Sequence, residues 1–501
     1  MLVHEFLTHS AARFPQKVAL VCDGRRLTYA ELDEMTDRLG NALVQGGVDR
    51  GDRVALHLPN SVEAVVGIFA VLKAGGTVVF INPSTKAEKL VYILNDCRAK
   101  ALLMQERTGG WDAVPSLSLR ILCGAQERPA DPRLRRFEEL LAEAPATSPS
   151  LRNIDLDLAC LVYTSGSTGE PKGVMCDHSN VDFASTAIMT YLENRAEDVI
   201  LSALPLSFDY GLYQLLMAFK MGGTLVLERS FMYPTVILQQ IQEERPTGFP
   251  GVPTIFAMLL QKDLRAYDTS SLRYLTNTAA ALPPSRILEL QAAFPGAALY
   301  SMYGLTETKR TLYLPPDQLA TRPGSVGIPI PGTEAWLEDD SGRRLGPGET
   351  GELVVRGRHV MRGYWEAPEA TARRFRPGPI PGERLCYSGD LFRQDAEGYF
   401  YFLSRKDDII KSRGEKVAPK EVENVLHMLP GVTAVVVGVP DPTAGEVVKA
   451  FVVTSGAPLT EAQVIAHCRA HLEEFMVPKF VEFRTDLPMT SSGKISRLGL
   501  Q

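Results

Sequence analysis

The sequence predicts an α/β protein: a large N-terminal domain of parallel sheets covered by helices, carrying a small β unit, followed by a smaller mobile α+β C-terminal domain. Three observations predict it. Strand-like and helix-like stretches alternate from the start to about residue 300; the texture turns Gly- and Pro-rich after residue 320; and a charged segment near 404–423 opens a compact module of about a hundred residues. A chain of 501 residues exceeds what one hydrophobic core organises. The expected division is 1–403 for the core domain and 404–501 for the mobile one.

In order along the chain, MLVHEFLTHSAARFPQKVAL carries His4, Glu5 and Arg13 and reads as an amphipathic helix, not a secretory signal. LTYAELDEMTDRLGNALVQGG has apolar residues at helical spacing and stops at Gly46-Gly47. RVALHLPN reads as a buried strand, SVEAVVGIFAVLKAGG as a helix and TVVFINP as the next strand. A βαβα rhythm of this kind implies a parallel sheet under helices. No repeat of 20–50 residues is visible, which excludes a solenoid. Beyond residue 320, RPGSVGIPIPGTEAWLEDDSGRRLGPGETGELVVRG has turns at Asp340-Ser341-Gly342 and Pro347-Gly348, so a small antiparallel unit is expected. The boundary near Ser404–Asp407 is charged and Gly-poor, which suits a functional hinge better than a passive linker.

Composition excludes several function classes. Hydrophobic residues make up 45% and charged ones 22%, an ordinary globular balance that excludes disorder, collagen and coiled coil. A net charge of −6 without a basic stripe gives no nucleic-acid footprint. No apolar run approaches a membrane span. Cys22, Cys97, Cys123, Cys160, Cys176, Cys386 and Cys468 are odd in number, scattered and without C-x-x-C, so reduced thiols in a cytoplasmic protein are expected. The eight histidines form no clustered metal-ligand set.

The most informative segment is LVYTSGSTGEPKGVMCDHSN, residues 161–180. A short apolar strand runs into Thr164-Ser165-Gly166-Ser167-Thr168-Gly169, with Lys172 three residues later. Glycines allow tight turns whose N–H groups point inward, four hydroxyls add donors, and the lysine supplies a point charge. Together they suit a polyphosphate tail, although the spacing is not the G-x-x-x-x-G-K-S/T of a P-loop.

The whole chain resembles the AMP-forming adenylating enzymes, which include acyl-CoA synthetases, the adenylation domains of nonribosomal peptide synthesis and firefly luciferase. Besides the segment above, the resemblance rests on KAGGTVVFINP (73–83), MYGLTET (302–308), GELVVRGRHVMRGYW (351–365), YSGDL (387–391), SRKDDIIKSRGEKVAPKEVE (404–423) and PMTSSGKISR (488–497), in family order. It implies ATP and Mg²⁺ as cofactors, and attack of a substrate carboxylate on the α-phosphate. Two anions meet in that step, so positive charge must be in place beforehand. By family register, Glu307 would hold Mg²⁺ and Thr306 would bond the α-phosphate. Tyr303 would lie against adenine, Asp390 would accept from the ribose hydroxyls, and Arg405 would reach ribose or phosphate. Lys494 would bridge carboxylate and phosphate in the transition state. The C-terminal domain would rotate about Asp407, withdrawing Lys494 and opening a thiol channel beside Gly414. One departure is Ser404, where the family usually has Gly.

The resemblance leaves the acid and the thiol open. Phe208-Asp209 aligns with the pair that amino-acid-activating members use, where the aspartate meets the substrate ammonium; the other reading is that Asp209 bonds protein groups. Thr278, Ala279 and Ala280 should narrow the acyl tunnel, and Tyr210 and Tyr213 either line a short aromatic pocket or pack the helix on its sheet. The expected substrate is a small carboxylic acid, an amino acid such as L-proline being first choice. The expected acceptor is a separate peptidyl or acyl carrier protein, because the sequence ends at Gln501 soon after Lys494. The alternative is an acyl-CoA ligase for a small or medium acid, with Lys411, Arg413 and Lys416 as cations for CoA or as a solvated face. Neither nucleic acid nor membrane is an expected partner.

Overall fold

The computed structural model describes residues 1–105, 111–124, 133–150, 153–165, 171–278, 280, 282–412, 415–441, 445–455, 458–489, 497 and 500. The chain builds two large sheets, a third antiparallel sheet and a fourth near the C-terminus. One large sheet has eight strands. Its centre is Leu158–Ser165, Thr77–Phe80, Arg53–His57 and Ala101–Met104 side by side and parallel. The other has nine strands and includes Val199–Ser202, Gly248–Gly251, Tyr274–Asn277 and Ala298–Tyr303, also parallel. The alternation read from the sequence is therefore present, with one rearrangement. Val18–Cys22, with Arg25–Thr28 antiparallel beside it, joins the nine-stranded sheet and pairs in parallel with Thr224–Leu227 (Leu20 opposite Leu225).

Local signals set the helices. In Tyr29–Gln45, the Thr28 hydroxyl accepts from Glu31 N at 3.3 Å while Glu31 accepts from Thr28 N at 2.7 Å, a reciprocal capping box; Gly46 caps the other end. The helix Val62–Lys73 is apolar apart from Glu63 and Lys73, and all but Glu63 is buried, inside one core that runs through both large sheets. Its last residue, Lys73, is 2% exposed and donates to Asp33 at 2.6 Å and Asp37 at 2.7 Å on the helix Tyr29–Gln45. Burial pushes the Asp37 carboxyl up while Lys73 pulls it down.

After residue 320 the chain forms the expected antiparallel unit: Glu334–Glu338, Thr350–Arg356, Phe375–Pro377, Arg384–Gln394 and Phe400–Arg405. Both foreseen turns are present, with Gly342 and Gly348 at φ +85°. The chain leaves this sheet at Arg405, passes a short turn, Lys406–Asp408, and enters the fourth sheet at Ile410. All seven cysteines are buried and unpaired. Among the described residues no helix is long and apolar enough to cross a membrane.

Replacing Lys73 by Met strands a buried carboxylate. The expected loss is about 3–5 kcal/mol in denaturant unfolding, and adding Asp37→Asn should recover part of it. An unchanged midpoint contradicts the pairing.

Candidate active site

The residues of interest lie just beyond the carboxyl ends of parallel strands, where open α/β sheets bind ligands. The decisive segment follows Ala298–Tyr303. From Gly304 the chain loops until Thr311 N returns to Tyr303 O at 2.9 Å, and the hydroxyls of Thr308 and Thr311 bond each other at 2.7 Å. Composition alone would put Glu-Thr-Lys-Arg-Thr in solvent. Yet Glu307 is 8% exposed, Arg310 3%, and Thr308, Lys309 and Thr311 0%. A Cβ on Gly304 would lie 1.8 Å from the Lys309 carbonyl oxygen, and Lys309 takes φ +56°, so the loop closes tightly on itself.

Glu307 accepts from the Tyr364 hydroxyl at 2.5 Å, and Arg374 Nε stands 3.7 Å away. Burial, then the Glu307 charge, push the Tyr364 phenol up. Burial works against the Arg374 charge, but Glu307 and then the more weakly felt Asp390 hold its pKa above the ordinary value. Both contacts to Glu307 fall on Oε1, so the carboxylate fits a hard cation through Oε2. Among the described residues no group of three or more His, Cys, Asp or Glu could hold a metal alone. A single carboxylate completed by phosphate oxygens and water is the Mg²⁺ pattern. Tyr364 also ties in the hairpin of the polyphosphate segment. Its strand Gly363–Tyr364 pairs with Met175 and Val174, and Lys172 Nζ lies 6.0 Å from its ring centre. On that hairpin Thr164 opposes Lys172 and Ser165 opposes Pro171. Gly166, Ser167, Thr168 and Gly169 lie outside the described residues, as do Ala279, Gly414, Arg413, Lys494 and the side chains of Ser165, Lys411 and Lys416.

At the other end of the loop, the Tyr303 hydroxyl donates to Asp390 Oδ2 at 2.6 Å, and Arg405 Nε stands 3.4 Å from Oδ1. Burial pushes the Asp390 carboxyl up despite both partners. The Tyr303 ring packs edge-on against Phe392, with centroids 4.9 Å apart. Arg374 links the two ends: a Cβ on Gly389, beside Asp390, would come 2.6 Å from its Nη1. The sequence reading missed Tyr364 and Arg374 as functional. Tyr364 stood inside the quoted GYW; Arg374 carried no local signal.

Asp209 opens the helix Asp209–Met221, after Phe208. Its carboxylate is met by Arg310 Nη1 at 3.5 Å. The Arg310 guanidinium lies 4.5 Å from the Tyr210 ring centre, and the Tyr210 hydroxyl is fixed on Thr276, 2.8 Å from O and 2.7 Å from Oγ1. Tyr213 is buried, with Lys309 Nζ 6.0 Å from its ring centre. Thr278 is buried; Ala280 is exposed, its carbonyl accepting from Asn277 Nδ2 at 2.9 Å. Thr306 is half-buried beside Glu307. Asp407 is exposed between two anchored neighbours. Lys406 reaches Asp340 (2.8 Å) and Glu352 (3.1 Å) in the third sheet, and Asp408 holds Arg497 (2.8 Å).

A family model described as AMP-binding enzyme matches residues 7–365, and one for the AMP-binding enzyme C-terminal domain matches 421–494. The chain belongs to the AMP-binding enzymes. It is 34% identical to a long-chain-fatty-acid–CoA ligase of Bacillus subtilis (strain 168), over 99% of this chain and 93% of the relative. It is 37% identical to a feruloyl-CoA synthase of an Amycolatopsis species, over 96% and 94%. Among solved structures, the anthranilate CoA ligase AuaEII with anthranoyl-AMP aligns with a TM-score of 0.90 at 29% identity, over 99% of this chain and 95% of that one. This AMP-binding enzyme is an adenylate-forming acid–thiol ligase that uses ATP and Mg²⁺.

Gly304→Ala must push the Lys309 carbonyl aside and carry Glu307 and Arg310 with it. A shift of about 1 Å is expected to cost on the order of 100-fold in ATP–pyrophosphate exchange. A normal rate in that variant contradicts the packing of the loop.

Proposed function

We propose that this ligase makes CoA thioesters of small or medium carboxylic acids that carry no α-ammonium. The acid attacks the α-phosphate of ATP, releasing pyrophosphate; CoA thiol then takes the acyl group and AMP leaves. The observation that carries the choice of acid is the Asp209–Arg310 pair. The amino-acid reading, with L-proline as substrate and a separate carrier protein as acceptor, needs Asp209 to meet a substrate cation. Here the chain supplies the cation itself, so the aspartate does not call for an amine. Full-length similarity to CoA ligases supports CoA as the acceptor.

In this reading Asp390, held by Tyr303 and Arg405, accepts from the ribose. Thr306 and Lys172, with the hairpin segment from Thr164 to Gly169, bind phosphate oxygens. Tyr364 and Arg374 orient Glu307. Mg²⁺, when bound through Glu307, neutralises phosphate charge. Lys494 completes the charge on the carboxylate and α-phosphate. The hinge falls at Asp407, whose neighbours are tied to opposite units while it is exposed itself. Seven buried, unpaired thiols fit a reducing cytoplasm.

The test supplies ATP, Mg²⁺, CoA and a panel of amine-free acids and follows AMP and thioester together. The expected result is stoichiometric thioester. Adenylate that accumulates without consuming CoA contradicts the acceptor. Lys494→Ala should lower adenylate formation by at least ~100-fold, and thioester formation from a supplied acyl-adenylate should survive.

A further inference from the structure

We propose that Arg310 is the residue that sets acid selectivity, by holding Asp209 as an internal ion pair so that the acid pocket rejects an α-ammonium group. The inference rests on the function proposed above, and deepens it.

The geometry fixes both partners. Asp209 sits where the helix Asp209–Met221 begins, and that first turn cannot retreat: a Cβ on Gly211 would stand 2.3 Å from Pro205 O, so helix and preceding loop are in backbone contact. Arg310 is three residues beyond Glu307 on the tightly closed loop, which places it in register with the reacting centre. Its guanidinium is clamped over Tyr210, whose own hydroxyl is pinned to Thr276. The two side chains differ in exposure: Asp209 keeps 21% open, Arg310 only 4%. The carboxylate is therefore the face an incoming acid can meet, with the cation immediately behind it.

An isolated aspartate here would recruit an ammonium. With Arg310 in place, an approaching ammonium gains less from a carboxylate already ion-paired at 3.5 Å, and meets a like charge. The wall thus presents a carboxylate already paired with a cation. An acid whose acyl group is neutral or carries an acceptor suits that wall; one bearing an amine does not. Removing Arg310 inverts the logic, leaving a half-buried carboxylate in want of a cation.

The experiment measures ATP–pyrophosphate exchange with matched acids, 3-phenylpropanoate against L-phenylalanine and pentanoate against L-norvaline, as the ratio of kcat/KM within each pair. The wild-type protein should favour the amine-free member. Arg310→Gln should move the ratio at least ~10-fold towards the amino acid, the scale expected for a buried pair losing one partner. Arg310→Lys should hold the wild-type ratio, and Arg310→Gln with Asp209→Asn should restore it. A ratio in Arg310→Gln within about twofold of wild type, or a wild-type preference for the amino acid, overturns the proposal. If Arg310→Gln fails to fold, Asp209→Asn decides: it leaves Arg310 without its carboxylate and should raise glutarate over pentanoate at least ~10-fold, and an unmoved ratio overturns the proposal. Exchange does not involve CoA, so an error about the acceptor thiol would show separately, as adenylate that is never transferred.

Discussion

Five consecutive polar residues, Glu307 to Thr311, are buried between the large sheets, and the site is organised by the need to satisfy them. A buried charge is tolerated only when paired. Two of its charges, Glu307 and Arg310, draw partners from different parts of the fold. Glu307 takes Tyr364 from the edge of the eight-stranded sheet and Arg374 from the helix Pro368–Arg374, and Arg310 takes Asp209 from a helix of the nine-stranded sheet. Tyr303, just before the segment, takes Asp390. In the proposed reading, one loop thereby ties together the nucleotide end at Asp390, the Glu307 carboxylate and the acid end at Asp209.

The charge pattern suits the chemistry. Joining a carboxylate to a polyphosphate requires cations that are already oriented, because reorienting them during the reaction would cost what their field supplies. Arg374 is half-buried with Nε 3.7 Å from Glu307 and Nη1 beside Gly389, and Arg310 is clamped between Asp209 and Tyr210. The proposed hinge is built differently. Lys406 and Asp408 are anchored to the two units on either side of it, and Asp407 is left exposed between them, where a change of backbone angle disturbs neither set of ion pairs.

Much of this was legible in the sequence because it is local. The helix stop at Gly46-Gly47, the turns at Gly342 and Gly348 and the strand running into Thr164 depend on neighbours a few residues away. Glu307 and Asp390 were found through motifs in family order. What escaped depends on distant partners. No local signal shows that Val18–Cys22 pairs with a strand two hundred residues on, or that Arg374 reaches Glu307. The motif MYGLTET stops before Lys309 and Arg310, so the sequence left Asp209 open between a substrate cation and a protein partner. The sequence contained that partner a hundred residues later, and only folding brings the two together.

The central claim is that the segment from Tyr303 to Arg310 aligns nucleotide and acid in one site, with Asp209 already paired. The most direct measurement is a crystal structure with a non-hydrolysable acyl-adenylate analogue, a 5′-O-(N-acylsulfamoyl)adenosine carrying a 3-phenylpropanoyl group. The account predicts ribose hydroxyls on Asp390, the sulfamoyl group beside Thr306 and Glu307, and the acyl chain against an intact Asp209–Arg310 pair. A ribose bound away from Asp390, or an acyl chain lodged elsewhere with the pair broken, would contradict it.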